Sequence, residues 1–403
     1  MNILFLTLLD FTSIEENGIY TDLMREFVKD DHTVYIISPI EKRKQQPTRL
    51  IDKGNYKILK LQIDNIQKTN LIQKGISTLT LESKFLKGIK KYFSEVNFDL
   101  VIYSTPPITL QKAVEYVKKR DNAKAYLLLK DIFPQNALDL GMMKKTGIKS
   151  ILYRYFKQKE KKLYKTSDYI GCMSQANVDF LLEHNPEISP NIVEICPNSI
   201  EPVNISEEEE SCIRIKKKYS IPFDKTIFIY GGNLGKPQGI NFLIECLRAN
   251  IANDQVYFVI AGSGTEYTKL EIFFENEKPT NARLFSQLPK VDYEVLANSC
   301  DVGLIFLDKR FTIPNFPSRL LSYMQASMPV LAATDINTDI GNVVEKGEFG
   351  FWCESKNVEQ FNINVQKLCD TKLRKRMGIN SRNYLETNYT AKHSYEIIIS
   401  HFN

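Results

Sequence analysis

At 403 residues, with 43% hydrophobic and 25% charged residues, the chain has a globular composition and is too long for one core, so two domains are expected. Its net charge of +5 is uneven: residues 1–200 hold 30 Lys and Arg against 23 Asp and Glu, and residues 201–403 hold 23 against 25. The basic half is therefore the one to meet an anionic surface; no nucleic-acid motif occurs, and no apolar run approaches the ~20 residues that span a bilayer. Seven scattered cysteines, never in CxxC spacing, read as reduced, buried thiols of a cytoplasmic protein. The start, MNILFLTLLD, lacks the basic flank and length of a signal peptide and reads as a first strand.

Residues 3–8 are an apolar strand by composition. A loop with Asn17-Gly18 leads to a helix over residues 19–28, with Leu23, Phe27 and Val28 inward, and then to a strand over residues 34–38. This βαβ opening predicts a doubly wound sheet. GxGxxG is absent, so no dinucleotide fingerprint is present. Gly18 either lets a ligand approach the backbone or only serves the turn; the close approach is the reading taken forward. Residues 40–80, rich in Lys and Gln, have mixed periodicity and read as an excursion from the sheet, a lid or an acceptor-contacting loop. A helix over residues 83–96 precedes strand 100–103, which runs into Ser104-Thr105-Pro106-Pro107 at the end where open α/β sheets bind ligands. Strand 125–129 continues into Lys130-Asp131-Ile132-Phe133-Pro134-Gln135. Asp131 is suited to orient or deprotonate a substrate hydroxyl; the alternatives are a salt bridge or a helix cap. Residues 144–165 are strongly basic, with Ile151, Leu152, Tyr155 and Phe156 interleaved. That pattern suits a helix lying on an anionic membrane face and, equally, a solvated helix packed on the sheet. Strand 169–173, a helix from residue 175 and strand 192–195 complete this half.

Residues 196–200 and the acidic run 207–210 mark a linker, and then the pattern restarts. Strand 226–230 ends in the glycine-rich turn 231–239, followed by a helix over residues 240–247. Such a turn brings backbone N–H groups close to phosphates, and Lys236 adds charge, although the GK[ST] of a Walker A is missing. Strand 256–261 ends in Gly262-Ser263-Gly264, another strand ends near Phe285, and a helix over residues 291–298 precedes strand 302–307. In residues 311–341, Pro314 and Pro317 keep the chain extended up to Ser318, the N-cap candidate. Leu320, Leu321 and Met324 then share one apolar face, and residues 329–333 form a short buried strand that leaves through a polar loop. Arg319 stands in the first turn of that helix, where a cation opposes the macrodipole. A bound anion removes the conflict, because N-terminal N–H groups and a guanidinium together suit phosphate. Gly350-Phe351-Trp352 and three helical segments follow; the last, residues 391–402, is long enough to return to the first domain.

Four segments, in this order, carry a resemblance to glycosyltransferase family 4, in its bacterial capsule and O-antigen branch of N-acetylfucosamine-type transferases. Ser104-Thr105-Pro106-Pro107 resembles the branch's SSPP turn, and Lys130 to Gln135 its R-D-x-W-P-E segment. Gly232 to Gly239 resembles its G-N-x-G-[RK]-x-Q-G turn, and Pro317-Ser318-Arg319 its P-S-K helix start. The resemblance spans essentially the whole chain and implies an α/β GT-B fold, two Rossmann-like domains facing across a cleft. Residues 1–200 would form the acceptor domain, with a helix of about residues 389–403 packed back on it, and residues 201–388 the donor domain. It further implies retaining transfer, without metal or cofactor, of an N-acetylated hexosamine or deoxyhexosamine from a UDP-sugar. The acceptor would be a lipid-linked saccharide at the cytoplasmic membrane face, in surface polysaccharide synthesis.

On this reading Lys236, Arg319 and Asp131 carry the chemistry. Gly18, Gly232, Asn233, Gly235, Gly262, Gly264, Leu288, Ser318, Ser322 and the loop Thr338, Asp339, Ile340 and Gly341 bind the donor. Lys130, Thr105 and Pro106 stand on the acceptor side. Lys236 and Arg319 are expected to form a diphosphate clamp. The two glutamates of most family members fall at Pro314 and Ser322, so the usual ribose-binding carboxylate is missing, and the wider family's Arg and Lys of the glycine turn fall at Asn233 and Gln238. Two other readings stay open: a nucleotide-sugar epimerase on the same fold, and an inactive nucleotide-sugar-binding subunit of a transferase complex.

Overall fold

The computed structural model describes residues 1–65, 71–147, 149–204 and 209–402. The chain divides into two units, Met1–Glu201 with Thr390–Asn403, and Pro202–Tyr389. In the first unit the strands are β1 (Asn2–Leu6), β2 (Thr33–Glu41), β3 (Arg49–Asp52), β4 (Tyr56–Ile63), β5 (Leu100–Ser104), β6 (Lys124–Leu129), β7 (Tyr169–Cys172) and β8 (Val193–Ile195). They form one sheet in the order β3-β4-β2-β1-β5-β6-β7-β8, parallel except for β3 at the edge. The helices are α1 (Ile19–Lys29), α2 (Leu71–Tyr92), α3 (Gln111–Asp121), α4 (Gln135–Asp139), α5 (Lys149–Thr166) and α6 (Gln175–His184). Strands buried on both faces need continuous apolar runs, and alternate residues feed two cores. Leu4, Leu6, Ile37, Val101 and Leu127 pack with α2, α3 and α5, while Ile3, Phe5, Ile36, Ile102 and Leu128 pack with α1.

Two expectations fail here. Residues 40–80 are not an excursion. β4 pairs with β2 over eight residues, from Val34↔Tyr56 to Glu41↔Ile63, and lies inside the sheet. Lys57, Lys60 and Gln62 interrupt its apolar run, yet Lys60 is fully buried. Residues 66–70 of that stretch lie outside the described residues. The helix expected from residue 83 begins at Leu71.

The second unit opens with α7 (Glu209–Lys218), whose first turn holds Glu209 and Glu210. Two acids of the supposed linker thus complement a helix N-terminus; Glu207 and Glu208 lie outside the described residues. The strands are β9 (Thr226–Asn233), β10 (Val256–Ser263), β11 (Ala282–Phe285), β12 (Val302–Phe306), β13 (Val330–Thr334) and β14 (Gly350–Glu354). All pair in parallel, in the order β11-β10-β9-β12-β13-β14. The helices are α8 (Ile240–Ala249), α9 (Tyr267–Glu277), α10 (Lys290–Asn298), α11 (Arg319–Gln325), α12 (Ile340–Lys346), α13 (Val358–Lys367) and α14 (Thr371–Asn388). Leu243 and Leu247 of α8, Leu270 and Phe273 of α9, and Phe361 and Val365 of α13 share a core with Phe228, Phe258 and Phe306. The last helix, α15 (Ala391–Ile399), joins the first unit, where Tyr395 and Ile398 enter the core beside Phe27.

Each unit is thus a doubly wound α/β domain. In such sheets ligands bind beyond the C-terminal strand ends, where the strand order reverses. The reversal lies between β1 and β5 in the first unit and between β9 and β12 in the second.

Candidate functional site

In the second unit, the glycine turn leaves β9 at this reversal. Asn233 and Gln238 face each other across it: Gln238 Oε1 accepts from Asn233 Nδ2 at 3.1 Å and from the Gly235 amide at 3.2 Å. These two side chains shape the turn. The Tyr230 hydroxyl braces it further by donating to the Asn233 carbonyl at 2.8 Å. Gly262 and Gly264 serve the backbone. A Cβ at Gly262 would lie 1.9 Å from the Gly232 carbonyl oxygen, and one at Gly264 2.3 Å from that of Leu234. Their smallness lets the two turns pack, and they act on a ligand only through the turn.

Arg319 meets the turn at Gly232. A Cβ there would stand 2.4 Å from Arg319 Nη2, and Gly232 has a φ of +123°. Space and backbone conformation both require glycine, so the guanidinium lies directly on the turn. It stacks over the Tyr230 ring, 4.2 Å from its centroid, as cation–π attraction favours. Burial pulls the Arg319 pKa down, but Tyr230, Tyr323 and Tyr293 outweigh it and leave it above the usual guanidinium value. Among the described residues no carboxylate pairs with Arg319. A charged group held in place without a counter-ion is costly unless a ligand supplies one.

The three tyrosines were not singled out from sequence. Tyr293 of α10 covers Gly231, where a Cβ would come within 1.7 Å of its hydroxyl. Tyr323 of α11 lies on Gly303, with its hydroxyl 3.1 Å from the carbonyls of both Ile229 and Leu304. The available signal was a glycine inside each buried strand, which marks a close approach.

Ser318 stands before α11 but does not cap it. Its φ of −61° and ψ of −16° are already helical. The Leu320 and Leu321 amides are taken by the Pro317 and Ser318 carbonyls, so a side-chain acceptor has little left to satisfy there. Ser322, one turn after Arg319, is exposed. Thr338 donates to the Asn315 carbonyl at 2.6 Å, its own amide goes to Asp335, and the Ile340 amide goes to Thr338 Oγ1. Two backbone donors expected of that loop are therefore already engaged. Asp339 precedes α12, and a Cβ on Gly341 would lie 2.6 Å from the Trp352 ring. Leu288 is half-buried between β11 and α10.

Lys236 is exposed at the other end of the turn and lines a cavity that Arg319 does not line. Arg319 of α11 meets the turn at its start, and Lys236 stands at its end.

In the first unit, Thr105 ties two strand ends together. Its hydroxyl accepts from the amides of Lys130 at 2.9 Å and Asp131 at 3.2 Å. Pro106, between two cis peptide bonds, is exposed beside it. The Lys130 ammonium spends one of its three donors on the Cys196 carbonyl, at 2.6 Å. Burial lowers its pKa to about 8. Burial raises the Asp131 carboxyl to about 6, against the pull of hydrogen bonds from Asn136 and the Ile132 amide. Since the folded state holds this proton more tightly than the unfolded chain, its stabilising contribution is present at low pH and lost as pH rises from about 4 to 6. Asp131→Asn is expected to flatten the unfolding free energy over that window, as read by urea titrations at pH 4, 5, 6 and 7.

Gly18 precedes α1 with a φ of 169°, which is extended backbone open to any residue, and its amide donates to Asp22 at 3.0 Å. The close ligand approach expected there finds that amide occupied. The loop from β1 to Gly18 is held instead by Lys60. Its ammonium reaches the Asp10 carboxylate, Ser38 Oγ at 2.8 Å and the Phe11 carbonyl at 2.9 Å.

Residues 213–384 match the family described as Glycosyl transferases group 1. The probable glycosyltransferase WbjE of Pseudomonas aeruginosa is 23% identical over 333 residues, 82% of this chain and 80% of its own. An E. coli trehalose-6-phosphate structure bound with UDP-2-fluoro glucose aligns at a TM-score of 0.74 and 11% identity, over 100% of this chain and 98% of that one. WaaG, a glycosyltransferase involved in lipopolysaccharide biosynthesis, aligns at 0.64 and 15% identity, over 98% and 99%. Over residues 213–384 the chain is similar to the glycosyl transferases group 1 family, and its two Rossmann-like units have the fold of GT-B glycosyltransferases.

Proposed function

We propose that the protein transfers a sugar, an N-acetylated hexosamine or deoxyhexosamine, from a UDP-sugar to a lipid-linked saccharide. The observation that carries this reading is the Arg319 guanidinium. It lies on Gly232 at the strand-order reversal and has no carboxylate partner among the described residues. The difficulty of the reaction is negative charge building on the leaving diphosphate. A preorganised cation stabilises that charge more in the transition state than in the ground state. Lys236 adds a second charge at the end of the same turn. In a retaining, front-face transfer the departing phosphate oxygen takes the acceptor proton, so no separate base is needed. No step is assigned to a metal. Asp131 orients the acceptor, and exposed Ser322 meets the ribose with a hydroxyl where related enzymes use a carboxylate. The group 1 match and the glycosyltransferase relatives support this reading.

The purified protein, given a panel of UDP-sugars and a membrane lipid extract, is expected to release UDP only when both are present. Conversion of the nucleotide sugar alone would make it an epimerase, and no UDP release in any mixture would leave it a binding subunit.

The acceptor's lipid calls for a membrane face, and the start of α5 has the chemistry for one. Ile151 is 69% exposed, Leu152 48% and Met142 51%. Lys144, Lys145 and Arg154 are exposed beside them in sequence. No helix among the described residues is long and apolar enough to cross a membrane, and exposed apolar residues interspersed with cations suit binding at the surface. Ile151→Glu with Leu152→Glu is expected to abolish co-sedimentation with phosphatidylglycerol vesicles while leaving UDP affinity unchanged.

A further inference from the structure

The cavity at the far end of the glycine turn shares only Lys236 with the chemistry above. It is an open cleft of about 570 Å³, within the range of small-molecule sites. The segments that follow β9, β10, β12 and β14 form its walls. Lys236, Lys269, Lys309, Arg310 and Lys356 line it, against the acids Glu245, Glu266 and Asp308. Some of these charges are already matched. Arg310 grips Asp308 through Nε and Nη2, each at 2.8 Å, and Lys269 pairs with Glu266. Lys356 reaches Glu354 at 2.7 Å. Among the described residues Lys236 and Lys309 make no direct ion pair, although the Lys309 charge acts on the Asp308 carboxylate. Ile240 and Asn241, the first residues of the ten-residue α8, also line the cavity, where the positive end of a helix adds to the field.

We propose that this cavity binds a soluble phosphate ester of saccharide size, separate from the diphosphate at Arg319. Concave walls, two lysines that make no direct ion pair and a helix N-terminus suit a phosphate group. The Arg310–Asp308 and Lys269–Glu266 pairs hold the rim in place before any ligand arrives. The exposed Glu245 offers acceptors to sugar hydroxyls, while Asn241 Oδ1 accepts from Lys269 at 3.1 Å. A nucleotide fits less well, because the lining has one aromatic ring, Phe242, and that ring is itself buried. The inference does not rest on sugar transfer. It requires neither Arg319 nor turnover, although Lys236 joins the cavity to the turn and occupancy would be felt there.

The test is calorimetric titration with glucose 1-phosphate at low salt. The wild type and Arg319→Ala are expected to bind it alike. Lys309→Glu with Lys356→Glu is expected to bind at least about tenfold more weakly, a loss of about 1.4 kcal/mol. The same double variant is expected to keep wild-type UDP affinity, which shows that it folds and separates this site from the one at Arg319. Phosphatidylglycerol vesicles form the second arm, and the double variant should sediment with them as the wild type does. Equal glucose 1-phosphate affinity in wild type and double variant, or no binding at millimolar ligand, would overturn the proposal. So would loss of vesicle binding without any glucose 1-phosphate binding, which would make the cavity a lipid headgroup site.

Discussion

Arg319→Ala is expected to lower turnover by about 10²–10³-fold, the usual cost of removing one preorganised donor from a developing oxyanion. The fold should survive. The side chain makes no ion pair among the described residues, and its main packing partner is the face of Tyr230. The loss should fall on kcat and kcat/KM together, because the diphosphate charge it meets grows towards the transition state. Arg319→Lys should recover only part of the rate. A lysine keeps the charge but gives up the planar stack on Tyr230 and the forked donors that match a phosphate. Tyr230→Leu probes the same arrangement from below: it removes the ring under the guanidinium and the brace on the Asn233 carbonyl, and should lower turnover by less. Steady-state kinetics on the three variants, with circular dichroism to confirm folding, checks the ordering.

The largest expected effect on stability is at Lys60. Lys60→Met keeps the volume of a fully buried side chain but removes an ammonium shared by Asp10, Ser38 and Phe11. Deleting this ammonium is expected to cost about 2 kcal/mol, because Ser38 Oγ and the Phe11 carbonyl lose their buried partner, while Asp10, 30% exposed, keeps solvent. Asp10 keeps a second cation, Lys44, but Lys44 is 52% exposed, and Lys44→Ala should cost under about 1 kcal/mol. Urea unfolding of the two variants separates the roles. A buried lysine on an interior strand thus fixes the loop that leaves β1 at the sheet's ligand-binding end.

Most of the fold was legible because buried parallel strands are written as apolar runs. Strands such as 100–103, 125–129 and 302–307 lie within a residue of their observed ends. The misreading of residues 40–80 has a specific cause. Lys60 looks like a surface residue in sequence, and only a partner 50 positions away, at Asp10, explains its burial. The site was legible in part. Proline spacing and a cation at the wrong helix end pointed to Arg319, and glycine clustering pointed to the turn. That Gly232 would receive the guanidinium, and that Tyr230, Tyr293 and Tyr323 would surround it, depended on tertiary contacts between β9, α10 and α11. Lys130 shows the converse. Its place after a strand suggested an acceptor contact, but its ammonium braces Cys196. Gly262 and Gly264 likewise looked like ligand positions and serve contact between two backbone turns.

The claim that the second unit holds a nucleotide diphosphate through Arg319 is tested most directly by comparing uridine, UMP and UDP in calorimetric titrations of the wild type and Arg319→Ala. Wild-type protein should bind UDP at least about tenfold more tightly than UMP, a gap of about 1.4 kcal/mol, and the gap should close in Arg319→Ala. Equal affinity for UMP and UDP in the wild type, or an unchanged gap in the variant, would contradict it.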